Sequence, residues 1–176
     1  LALALHQDGN DAEAICEFDL AIEQRANEPM LLANRAAVLL ALGRLTDAEQ
    51  SCRHALSVQP DNFTALYNLG LALESMGRVG EATAPLRAAL DIRPNALGVA
   101  RVLARVAVAM NDPDSARRVL PMLLAKPEKS TLILIGDLYQ TCSDIESAWR
   151  IWGQAAANPA LAVRASGTAG NRATQS

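Results

Sequence analysis

Aromatic residues are almost absent: two Trp, two Tyr and two Phe account for 3% of 176 residues. That shortage is a poor match to a β-sandwich or barrel, whose strands draw on aromatic and β-branched side chains. Histidine is scarcer still. His6 and His54 stand far apart, with no H-E-x-x-H or Cys-x-x-Cys spacing near either, so no metal site is encoded. Cys16, Cys52 and Cys142 are an odd number without framework spacing. Free thiols suit a reducing compartment, and a cytoplasmic location is the expectation. No apolar run reaches the roughly 18 residues of a membrane span, and the opening LALAL lacks the basic flank of a signal peptide. Neither sign of charge dominates: 16 Lys and Arg against 19 Asp and Glu leave a net charge of −3, with the two signs interspersed. Such a balance supplies no field for nucleic acid. Glycine forms no phosphate-cradling cluster and no Gly-x-Ser-x-Gly elbow. The expectation is a non-enzyme without catalytic residues, metal or cofactor, whose main partner is neither nucleic acid nor a membrane.

What the chain has in quantity is Ala and Leu, within a 51% hydrophobic composition. Over residues 63–95 they fall at helical spacing. Leu66, Leu69, Gly70 and Leu73 mark one face of a first helix, which ends at Met76-Gly77, where glycine readily takes a left-handed cap. Val79, Ala82, Leu86, Ala89 and Leu90 mark a second, stopped at Arg93-Pro94 because the residue before a proline is pushed out of helical geometry.

Shifting the sequence by about 34 residues brings special positions into coincidence. Gly9 meets Gly43 and Gly77; Leu5 meets Leu39 and Leu73; Ala14 meets Ala48, Ala82 and Ala116; Ala21 meets Ala55 and Ala89; Pro60 meets Pro94. Small Ala lets two helices approach closely, Gly turns the chain, and Pro blocks propagation into the next unit. The pattern resembles the tetratricopeptide repeat (TPR) family. The resemblance is carried by Leu66-x2-Leu69-Gly70-x2-Leu73, Ala82-x3-Leu86-x2-Ala89 and Pro94, with Leu66 where the family often has Trp. It implies an all-α fold, a right-handed α-solenoid of antiparallel helix pairs.

Read in order, the chain divides into one array over 1–160: a partial repeat at 1–28, then 29–62, 63–96, 97–128 and 129–160. Leu1, Ala2 and Leu5 hold the register of Leu69, Gly70 and Leu73, so the first repeat lacks its beginning, as in a fragment of a longer protein. Ala14, Phe18, Ala21 and Ile22 form its buried face. Arg35, at the position of Leu69, is expected to lay its stem on apolar surface with its charge in water. Pro85 falls inside a helix and predicts a mild kink. In the fourth repeat Leu103, Ala104, Ala107 and Met110 hold the core register, and Asn111 replaces the turn glycine as the next best left-handed cap. The linker AKPEKST is about two residues short. The fifth repeat pairs Leu132, Ile135, Gly136 and Tyr139 with Ile145, Ala148, Trp152, Ala155 and Ala156. Residues 161–176 predict a short capping helix and a disordered tail.

The TPR resemblance implies a concave face lined by the first helices, with outward residues between the packing positions. Met30, Ala33, Asn34, Ala37 and Leu40 would point there, then Thr64, Tyr67, Asn68, Leu71 and Glu74, then Arg101, Arg105 and Val108, then Ile133, Asp137 and Gln140. Asn34 and Asn68 are equivalent, and in similar superhelices such an asparagine holds an extended peptide backbone; the ladder stops at Val102. Arg101 and Arg105, four apart, either meet one carboxylate-bearing partner or form a solvated face. The carboxylate clamp of chaperone-binding members is disfavoured, because Ala33 and Ala37 stand where its first pair belongs. The expected binding groove is therefore Asn34, Ala37, Tyr67, Asn68, Leu71, Glu74, Arg101 and Arg105. The expected function is a scaffold for a partner's peptide or helix. The alternative is a substrate-recruiting domain of a larger glycosyltransferase- or sulfotransferase-type enzyme, and a third reading is self-association through the incomplete first repeat.

Overall fold

The computed structural model describes residues 10–24, 28–125 and 131–156, the side chains of 155 and 156 apart. The helix expected over 1–7, the turn at Gly9, most of the AKPEKST linker and the cap and tail over 161–176 lie outside these residues. Among the described residues the chain forms nine helices and no strand: α1 Asp11–Gln24, α2 Pro29–Ala41, α3 Leu45–Val58, α4 Phe63–Ser75, α5 Val79–Ile92, α6 Leu97–Met110, α7 Pro113–Ala125, α8 Leu132–Thr141 and α9 Ile145–Ala156. They fall into two compact units, Leu1–Val102 and Leu103–Ser176, divided within α6.

Among the described residues, the four hairpin turns at 42–44, 76–78, 110–112 and 142–144 use the same device. A residue at positive φ follows the first helix: Gly43 (72°), Gly77 (76°), Asn111 (50°) and Ser143 (63°). Its amide and the next one then satisfy the helix's last carbonyls. Gly43 N–H donates to Leu40 O (3.0 Å) and Arg44 N–H to Leu39 O (2.9 Å). The pair recurs with Gly77 to Glu74 and Arg78 to Leu73, with Asn111 to Val108 and Asp112 to Ala107, and with Ser143 to Gln140 and Asp144 to Tyr139. This is the Schellman arrangement. Asn111 takes the cap its residue type predicts. Ser143 was not foreseen and carries a Cβ in the left-handed region. Ser143→Gly is therefore expected to stabilise the second unit by about 0.5–1 kcal/mol, read as a higher midpoint of chemical unfolding.

The second helices start on side-chain caps in two cases. Asp112 Oδ1 accepts from the amides of Asp114 (3.1 Å) and Ser115 (3.2 Å), and Asp144 Oδ1 from that of Ser147 (3.0 Å). Asn62 does the same for α4 through Ala65 N–H at 3.0 Å. Helix α5 runs unbroken through Pro85, and α7 through Pro121. The amide that each proline lacks would have served the carbonyls of Glu81 and Arg117, both exposed residues where water can substitute.

In the first unit α1 packs on α2, α2 on α3, α3 on α4 and α4 on α5, while α2 also lies against α4. In the second, α7 packs on α8 and α8 on α9. The alanine column lies wholly inside: Ala14, Ala48, Ala82, Ala116 and Ala148 are all 0% exposed. Gly70 shows how tight the crossing is, since a Cβ there would lie 2.4 Å from Leu86 Cδ2. In the second unit a Cβ on Gly136 would meet Trp152 Nε1 at 2.3 Å. Leu39, Leu73, Leu86, Leu90, Leu103 and Leu123 are fully buried, each worth about 1.5–3 kcal/mol relative to exposure.

The structure corrects the expected core at several points. Met110 is 50% and Ile145 60% exposed, because each sits at the end of its helix beyond the helix crossing. Ala21, Ile22 and Tyr139 are only half-buried. Helix α6, by contrast, also buries Val99, Ala100, Val102 and Val106, as a helix apolar on most sides does. Arg35 is not solvated at its head: Nε donates to Asp19 Oδ1 and Nη1 to the buried Ser51 hydroxyl, both at 2.7 Å.

Candidate partner-binding face

Helices α2 and α4 lie side by side in the first unit, and their outward positions define the candidate face. On α2, Asn34, Ala37 and Leu40 are half-buried; on α4, Tyr67, Leu71 and Glu74 are half-buried. Five of these, Asn34, Ala37, Tyr67, Leu71 and Glu74, are expected groove residues; with Leu40 they belong to one unit and share two packed helices. Half-burial means each has a shielded stem and an accessible surface, the condition of a shallow binding face.

Asn68 differs from its sequence equivalent. It is 5% exposed, and Nδ2 donates to the carbonyl of Ala33 at 3.0 Å. Ala33 is itself 1% exposed, and its small side chain lets α4 approach α2 closely enough for that bond. Asn68 thus latches one repeat to the next, whereas Asn34 remains half-exposed. Arg101 is half-buried within the first unit, and Arg105 is exposed within the second, so the first unit alone carries one member of that pair. In the second unit Val108, Ile133, Asp137 and Gln140 are half-buried.

Aromatic groups order the start of α4. Phe63 and Tyr67, one turn apart, stack with centroids 6.4 Å apart and ring planes at 26°. The Arg93 guanidinium sits 4.0 Å above the Phe63 ring. A Cβ on Gly98 would lie 3.3 Å from the Tyr67 hydroxyl oxygen, so that glycine leaves room for the ring's far end at the first turn of α6. The sequence reading named Tyr67 but missed Phe63 and Arg93; the i, i+4 spacing of two scarce aromatics was the available signal.

Away from this face, Arg53, Arg78, Glu49 and Glu81 form a structural network. Arg78 grips Glu81 through Nε (2.7 Å) and Nη2 (2.6 Å) and reaches Glu49 through Nη1 (2.6 Å). Arg53 Nε adds a second bond to Glu49 at 2.8 Å. Burial pushes the Glu49 carboxyl up, but the hydrogen bonds of Arg53 and Arg78 outweigh it and hold the group below the usual carboxylate range. The network ties the turn before α5 to α3. Its contribution is present above the ordinary carboxylate range and lost as acid titrates Glu49.

The thiols offer no nucleophile at neutral pH where they are buried. Cys52 is 0% exposed and its thiol is pushed up to about 12, chiefly by burial and then by the Glu49 charge. Burial also raises the half-buried Cys142. Among the described residues no group of three His, Cys, Asp or Glu is placed to hold a metal ion, and no helix is long and apolar enough to cross a membrane.

Residues 27–95 match the tetratricopeptide repeat family. The human FK506-binding protein-like protein is 35% identical over 86 residues, which is 49% of this chain and 25% of that protein. The chain spans a quarter or less of the length of the curated relatives it matches. Among solved structures, YrrB, described as a TPR protein with an unusual peptide-binding site, has a TM-score of 0.76 at 17% identity, covering 94% of this chain and 88% of that one. The first TPR of Spaghetti (RPAP3), bound to the HSP90 peptide SRMEEVD, has a TM-score of 0.61 at 22% identity, covering 62% and 86%. Repeat register, hairpin architecture and these likenesses converge: residues 27–95 match the tetratricopeptide repeat family, and the chain is similar in fold to solved tetratricopeptide-repeat proteins.

Proposed function

We propose that this chain is a non-catalytic interaction scaffold that receives a peptide or helix of a partner protein on the α2–α4 face. The observation that carries the reading is the row of half-buried side chains, Asn34, Ala37, Leu40, Tyr67, Leu71 and Glu74, on two adjacent first helices. Such a surface is apolar at its floor and polar at intervals, as peptide-receiving faces are. The peptide carried by the RPAP3 repeat and the peptide-binding site ascribed to YrrB support it by analogy of fold.

The test is affinity capture with this chain as bait, followed by titration of each captured protein against wild type and Leu71→Arg. Leu71 is half-exposed, so the variant is expected to keep its helicity by circular dichroism while binding weakens about tenfold or more. Asn68→Ala is the wrong probe, because it also breaks the latch to Ala33. An affinity unmoved by Leu71→Arg retires this face as the binding surface.

A further inference from the structure

We propose that a pocket at the mouth of this face takes an apolar side chain of the partner, with Arg93 taking an adjacent carboxylate. The inference rests on the reading of the α2–α4 face and names the chemistry of what enters it. The pocket holds about 250 Å³ and is walled by Met30, Phe63, Ile92 and Arg93, with Thr64 and Asp61 at its side. Two of its walls are large apolar groups left in water: Met30 is 65% exposed and Ile92 41%. Exposed apolar side chains that converge on one concavity mark an interaction site more strongly than scattered ones. Methionine, unbranched and polarizable, adapts to the shape of what it meets.

Arg93 supplies the polar half. Its guanidinium is held over the Phe63 ring, yet it makes no ion pair among the described residues. A cation held in place by an aromatic face, with its charge unmatched by a direct partner, is set to receive a carboxylate with little further ordering. Asp61 lines the same pocket and cancels its formal charge. A strongly acidic segment therefore gains little, and the fit is to one carboxylate beside one apolar side chain, as in a Leu-Asp pair.

The experiment titrates the full chain, methyl-labelled at Met, Ile and Leu, with the blocked peptide acetyl-Gly-Ser-Leu-Asp-Gly-Ser-amide. Its Leu→Ala and Asp→Asn forms serve as controls. Expected are saturable shifts at the Met30 and Ile92 methyls, lost with the Leu→Ala peptide and about threefold weaker with Asp→Asn or with Arg93→Gln protein. Asp61→Asn acts in the opposite direction and tightens the acidic peptide. These side chains are exposed or edge-placed, and unchanged circular dichroism confirms that each variant is folded. Shifts confined to residues around Leu71 and Glu74 overturn the pocket while leaving the face. Shifts at neither place overturn both. Methyl shifts that depend on protein concentration without peptide overturn it in favour of a second copy of the chain.

Discussion

Gly70→Ala is expected to destabilise the first unit by about 1–2 kcal/mol, although alanine is the better helix former. Propensity alone favours the change by about 1 kcal/mol. Against it stands Leu86, whose Cδ2 and Cγ would lie 2.4 and 2.5 Å from the new Cβ. Leu86 is 0% exposed, so it cannot swing aside without displacing other core atoms. Overpacking of that kind costs about 1–3 kcal/mol and outweighs the gain. The sequence contains its own control. One repeat earlier, the positions of Gly70 and Leu86 are occupied by Ala36 and Cys52, both 0% exposed: a larger residue on the first helix, a smaller one on the second. In the second unit Gly136 admits the still larger Trp152. The double variant Gly70→Ala, Leu86→Cys should therefore lose less stability than the sum of its single changes, with a coupling of about 1 kcal/mol or more. Chemical unfolding of the four proteins measures it, and strict additivity would show that the two positions do not share one volume.

The same relationship explains how much of the fold could be read from the chain. Gly, Ala and Pro recur because backbone geometry demands them, and a demand on the backbone leaves a signature in a single residue type. Gly43 and Gly77 at positive φ and the fully buried alanine column were legible for that reason. Asn111 was legible because asparagine tolerates the left-handed region. Ser143 was not, since nothing about serine announces a positive φ; only its place in the register does. Exposure at helix ends escaped the pattern too. Met110 and Ile145 continue an apolar periodicity past the point where a neighbouring helix exists to cover them. Periodicity reports which face a residue is on, not how far along the helix the contact extends.

The candidate face was less legible because outward positions carry few backbone constraints. Asn34 and Asn68 are identical in type and register, yet the structure gives one a half-exposed surface and the other a bond to Ala33. What separates them is the neighbouring repeat, which a one-residue comparison does not contain. Arg35 makes the same point from the opposite direction. Its type suggested a solvated charge, and the Asp19 carboxylate and Ser51 hydroxyl brought by the flanking helices α1 and α3 gave it partners. A repeat scaffold keeps its packing positions and varies the remainder, so its sequence states the fold more plainly than the ligand.

Ala82→Leu should be at least as damaging as the glycine change, by about 1–3 kcal/mol. Ala82 stands on the first turn of α5, 0% exposed, at the position that Ala14, Ala48, Ala116 and Ala148 repeat without exception. Three further carbon atoms must be placed where the helices leave room for a single methyl group. Their burial would be worth about 2 kcal/mol if space existed, so the sign of the result decides between packing and hydrophobicity as the reason for the alanine column. A helix pair that could separate would turn the added leucine into a stabilising contact. The turn before α5 resists that separation: Arg78 bonds Glu49 on α3 and Glu81 on α5, and its amide caps Leu73 at the end of α4. Loss of stability with retained helicity is the expected outcome, measured by chemical unfolding and circular dichroism. An unchanged or raised unfolding midpoint would mean that Ala82 does not lie at the closest approach of its helices.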